Sequence, residues 1–200
     1  MDSTRNLQRL LTWLSPAFPV GAFAWSGGLE ASGLEPDELE GWLRTSLQQG
    51  PLWNDAVLCA AAHRGEDVDD LAIALAGSRL RRDETTSLGE GFAAAHAAWG
   101  TIEARAYPVA VGRATRAMAL RDVLAAFLQS GIVNLVQCAQ RTMPLGQSRA
   151  MALLAALEPV IAETAERAAA SGIDDLGGCA FGIDMAVMRH ETLPSRIFRS

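Results

Sequence analysis

The chain has 200 residues, half of them apolar, enough for one domain with a core of its own. Its 23 acidic and 17 basic side chains leave a net charge of −6, which speaks against nucleic-acid binding by phosphate neutralisation and against docking on an anionic membrane. Every basic residue is an arginine, so there is no lysine for a Schiff base or for the phosphates of a Walker-A loop.

Helical spacing opens the chain. Leu7, Leu10, Leu11 and Leu14 recur at i, i+3, i+4 and i+7 and mark one face of a helix. Pro16 and Pro19 stop it, and the glycines of AFAWSGGLEASG allow only a short or distorted helix next. A clearer helix is expected from Pro36, with Asp37 and Glu38 in its first turn, a stripe of Leu39, Trp42, Leu43 and Leu47, and Gly50-Pro51 as its end. Further helices are expected over about 52–64, 67–76 and 79–105, followed by one with Pro108 at its start.

A strong amphipathic helix is predicted over 120–142 and an Ala-rich one over 147–170, kinked or divided at Pro159. A short helix over 179–188 leads into the polar end RHETLPSRIFRS. No alternating run is long enough for a strand with a partner, so the class is all-α: a compact helical bundle spanning 1–188 with a C-terminal docking tail at 189–200.

Cys59, Cys138 and Cys179 are far apart and form no CxxC pair, which favours free thiols in a reducing cytoplasm. The start MDSTRNLQRLLTWLSP does not read as a signal peptide, and charges interrupt the apolar stretches short of membrane-spanning length. The chain therefore reads as soluble and cytoplasmic.

The residues offer no assembled chemistry. His63, His96 and His190 stand alone, without the convergent ligands a metal needs. The pairs Asp69–Asp70, Asp83–Glu84 and Asp174–Asp175 are adjacent, and neighbours on a helix diverge by about 100°. Ser26 lacks the first glycine of a nucleophile elbow, and GEGFAAAH at 89–96 is no phosphate loop. Neither an enzyme nor a cofactor is expected.

Three segments carry more than a plain bundle requires. Residues 14–30, LSPAFPVGAFAWSGGLE, combine prolines, aromatic rings and glycines in a loop suited to function. Residues 141–147, RTMPLGQ, interrupt two long helices. The tail holds Arg189, Arg196 and Arg199 against Glu191, beside Leu193, Ile197 and Phe198. Guanidinium groups next to an aromatic ring have the composition of an interface anchor.

At these segments the sequence resembles the UreF family of urease accessory proteins. SPAFPVGAFAWSGGLE is similar to SPxLPVGxFSYSxGLE, RTMPLGQ to a segment ending PLGQ, and RHETLPSRIFRS to RHETQYSRLFRS. The resemblance implies a non-catalytic, homodimeric, all-helical adaptor. With UreD (also called UreH) and the GTPase UreG, such an adaptor forms the complex that inserts nickel into apo-urease and modulates the GTPase.

By position it assigns Pro19, Gly21, Ser26 and Gly28, with the aromatic Trp25, to a structural motif. To partner binding it assigns Glu30, Arg141, Pro144, Gln147, Arg189, His190, Glu191, Ser195, Arg196, Phe198 and Arg199, and Ser200 matches the motif's end. Ala24 and Trp25 stand in place of Ser and Tyr, and Pro194 in place of Tyr. Two alternatives remain open from sequence: a nickel-binding metallochaperone using His190 and Glu191 with a dimer-related copy, and a helical scaffold outside urease biology.

Overall fold

The computed structural model describes residues 3–199. Among them are nine α-helices and no strand: α1 (Ser3–Trp13), α2 (Leu39–Gln49), α3 (Pro51–Arg64), α4 (Asp69–Ala74), α5 (Arg79–His96), α6 (Tyr107–Ala114), α7 (Leu120–Thr142), α8 (Gln147–Ala170) and α9 (Phe181–His190). The all-α expectation holds.

The middle of the bundle is α3, on which Ala56, Val57, Cys59, Ala60, Ala61 and Ala62 are fully buried. Helices α2, α6, α7 and α8 surround it. Its small side chains let neighbouring backbones come close. Gly112 of α6 is pressed against the Cys59 carbonyl, where any Cβ would collide. Gly89 of α5 meets the Arg105 carbonyl in the same way.

By length and composition α7 resembles a membrane span, but Val123, Leu124, Phe127, Leu128, Ile132 and Val136 on it are buried against its neighbours. It is a core helix.

The structure departs from the predicted elements in three places. Residues 36–38 form a separate turn before α2, because the Glu38 carboxylate folds back to accept from the Glu35 N–H at 2.9 Å. The segment 97–106 leaves helical geometry after His96, whose ring bonds the Gly100 carbonyl at 2.9 Å, and Asp69 takes the backbone N–H groups of Arg105 and Ala106. Pro159 neither divides nor ends α8. Pro159 and Ala155 both face solvent, so water can satisfy the carbonyl that proline leaves without a donor.

The leucine face of α1 divides. Leu10 and Leu14 are buried with Trp13, while Leu7 is 57% and Leu11 67% exposed. Between α3 and α5 lies a semi-buried ionic trio. Arg81 Nη1 donates to Glu84 at 2.9 Å, and its Nη2 meets Asp55. Burial pushes the Glu84 carboxyl above its usual value, and the neighbouring guanidinium offsets only part of that rise.

Candidate partner-docking site

The segment 14–38 is irregular, with two short 3-10 turns at Ala22–Ala24 and Leu29–Ala31. Gly21 (φ 81°) and Gly28 (φ 86°) start these turns in the left-handed region that side chains disfavour. At Gly28 space gives a second reason, since a Cβ would stand 2.9 Å from the Val187 backbone nitrogen of α9. The second turn is thereby packed on α9, and Glu30 is held over that helix's last residue, His190. Pro19 is exposed, and Ser26 is fully buried.

His190 is fully buried, and its Nε2 lies 2.8 Å from Glu30 Oε2. The chain then turns through 191–196, where Arg196 donates to the Glu191 carbonyl at 2.9 Å, and it comes back across Glu30. Backbone N–H groups of Ile197 and Phe198 donate to the two Glu30 carboxylate oxygens at 2.6 and 3.0 Å. Arg199 N–H donates to the Ala24 carbonyl at 2.7 Å.

Burial by itself would raise the Glu30 carboxyl. The bonds from Ile197, His190 and Phe198 outweigh it and hold the group below its usual value.

Aromatic faces and guanidinium groups close the arrangement. Phe198 is only 3% exposed, and the Arg141 guanidinium carbon lies 4.3 Å from its ring centroid. Arg141 also donates to the Phe23 carbonyl at 3.2 Å. Arg199 sits 5.1 Å over the buried Trp25 ring. Trp25 in turn is fixed from α7, since its carbonyl accepts from Asn134 at 3.1 Å and from the Cys138 thiol at 3.4 Å.

Of the residues chosen from sequence, Glu30, Arg141, His190, Phe198 and Arg199 converge with Trp25. Others point elsewhere. Arg189 and Ser195 are exposed, as is Pro144. Gln147 bonds back to Gln140 at 3.0 Å. The Glu191 carboxylate takes the Leu80 N–H at 3.2 Å and lies 3.9 Å from Arg79, tying α9 to α5. Arg189 and His190 belong to the last turn of α9, and Ser200 lies outside the described residues.

The family model for UreF matches residues 34–158. The urease accessory protein UreF of Mesorhizobium japonicum is 49% identical over 218 residues, covering 99% of this chain and 98% of the relative. The chain belongs to the UreF family.

Other UreF relatives are as close in length. One from Brucella canis is 48% identical over 219 residues, covering 100% of this chain and 96% of the relative. One from Rhizobium leguminosarum bv. viciae is 47% identical over 223 residues, with both chains covered completely.

For the alternative of a nickel site built on His190 and Glu191 with a dimer-related copy, the two side chains are turned apart within this UreF chain. His190 has no exposed surface to offer a second copy, its Nε2 is engaged by Glu30, and Glu191 points to α5. Among the described residues no three His, Cys, Asp or Glu side chains are grouped to hold a metal.

Sequence reasoning missed an apolar stripe on the outer face of α9. Phe181 is 80% exposed, and Met185 and Met188 are each close to half exposed. Their i, i+4, i+7 spacing was visible, but such spacing ordinarily marks a buried face. The Asn134 and Cys138 tethers left no signal, because each contacts backbone far away in sequence.

Proposed function

We propose that this chain is the adaptor of the urease maturation complex, joining UreD/UreH to the GTPase UreG while nickel is delivered to apo-urease, and that it catalyses nothing itself. The observation that carries this reading is the strapped C-terminal segment. It buries Phe198 but leaves Ile197, Arg189 and Arg196 outward, close in the chain to the exposed α9 stripe of Phe181, Met185 and Met188. Apolar side chains rimmed by guanidinium groups suit a protein partner. The cytoplasm is the matching compartment.

Removing residues 193–200, which spares α9, should abolish capture of UreD by the purified chain while leaving its helical circular dichroism in place. Undiminished capture would defeat the proposal. Parallel pull-downs with UreG, with and without GTP, test the GTPase arm and any modulation of it.

The homodimer belongs to the same proposal. A groove of about 860 Å³ runs between α1 and α7, with Leu7, Leu11, Ala125 and Val133 among its walls. Among the described residues, its one charged lining residue is Asp122. Two chains that each carry a net charge of −6 meet with least repulsion on such a face, and we assign a second copy to it.

A further inference from the structure

We propose that Glu30 is a positioning residue: its carboxylate sets the register in which the C-terminal segment lies on the body, with Phe198 turned in and Ile197 turned out. The proposal rests on the reading that this segment docks a partner.

The geometry favours an internal role over a partner contact. The two oxygens of Glu30 receive Ile197 N–H, Phe198 N–H and the His190 ring nitrogen at 2.6, 3.0 and 2.8 Å, and only 11% of the side-chain surface remains exposed. Binding two successive backbone N–H groups with one carboxylate names particular residues of an otherwise irregular segment. A slip of one residue would offer the carboxylate a different pair and turn the Phe198 ring out of its place beneath Arg141.

Charge-assisted bonds of this kind are strong enough to offset part of the entropy lost in ordering a chain end. The position of Glu30 is itself fixed from behind, by the left-handed Gly28 against Val187. Glu30 thus couples the end of α9 to the chain terminus, and the partner reads the result through Ile197 and the neighbouring arginines.

The test is limited trypsin digestion of the full-length chain at neutral pH, following cleavage after Arg196 by the mass of the released Ile197–Ser200 peptide. Glu30→Ala should speed that cleavage at least about tenfold over the unsubstituted chain, because the tail is released while the bundle stays closed. Glu30→Gln, which keeps one acceptor oxygen, should fall between the two, and it gives the same reading if the alanine variant does not fold.

Cleavage in Glu30→Ala no faster than in the unsubstituted chain would overturn the proposal. So would acceleration spread equally over sites in the bundle, since that reports general loosening. UreD capture is measured alongside. If removal of 193–200 abolishes capture but Glu30→Ala leaves it unchanged, register does not matter to the partner and the proposal fails. If removal of 193–200 leaves capture intact, the docking reading fails whatever the digestion shows.

Discussion

Arg141 stands in the last turn of α7 and Phe198 nearly closes the chain, yet the guanidinium carbon of one lies 4.3 Å from the ring centroid of the other. The same side chain donates to the Phe23 carbonyl at 3.2 Å, so one arginine joins α7, the first loop and the tail. Arg141→Ala should lower stability by about 1 kcal/mol, the worth of a cation–π contact and a hydrogen bond on a partly wet surface. Arg141→Lys should recover only part, because an ammonium cannot lie along the ring and donate sideways together. Urea unfolding curves decide it, and identical midpoints for all three chains would count against this contact.

Glu30 gives the same corner a pH dependence. Its folded-state value is lowered, so its contribution to stability is present above the ordinary carboxylate value of about 4.3 and is lost as pH falls through the lower folded value. Stability measured from neutrality down to about pH 3 should contain a component that Glu30→Gln removes. Superimposable pH profiles for the two chains would show that the tail bonds contribute nothing.

The trio of Arg81, Asp55 and Glu84 makes a different demand. Arg81→Met would leave two largely buried carboxylates without the guanidinium they share, and the expected loss is about 3–5 kcal/mol. Glu84→Gln keeps an acceptor oxygen for Arg81 and leaves Asp55 as its charged partner, so it should cost less, about 1 kcal/mol at neutral pH. Because the folded value is raised, Glu84 favours the native state more as pH falls, and that trend should weaken in the glutamine variant. Equal losses in the two variants, read by chemical denaturation, would refute this division of roles.

Local rules made most of the bundle legible. The stripes of α2 and α7, the proline at the start of α6 and the Gly50-Pro51 break are all set by neighbours within a turn or two, and each falls where expected. Boundaries moved where a distant group took over the backbone: Asp69 draws residues 105 and 106 out of helix, and nothing near those residues announces it. In the candidate site, Trp25 and the arginines could be picked out as residue types. Their convergence could not, because the bonds from Ile197 and Phe198 to Glu30 join opposite ends of the chain. Phe198 read as an exposed anchor from composition alone, and folding turned it inward.

Glycines separate packing from helix propensity. Gly112→Ala and Gly89→Ala force a methyl group into a facing backbone, which cannot yield as a side-chain tip would, and each should cost about 2 kcal/mol or more. Gly41 of α2 has open space where its Cβ would stand, so Gly41→Ala should stabilise by up to about 1 kcal/mol. Opposite signs are the expected thermal-denaturation result. A stabilising alanine at Gly112 would mean that α3 and α6 are not in close backbone contact.

Leu7 and Leu11 test the proposed self-association. They are the most exposed members of the α1 stripe, at 57% and 67%, and they are not needed to hold α1 in place, because Leu10, Trp13 and Leu14 already bury its inner side. Glutamate at both positions adds two charges per chain to a face whose described lining carries a single charge, Asp122, so two copies would meet with four new carboxylates between them. The double variant should therefore be monomeric by sedimentation velocity at concentrations where the unsubstituted chain is dimeric, with its far-ultraviolet circular dichroism unchanged. A folded variant that still sediments as a dimer would move the interface to another face, and loss of helicity on substitution would mean that these leucines stabilise the bundle after all.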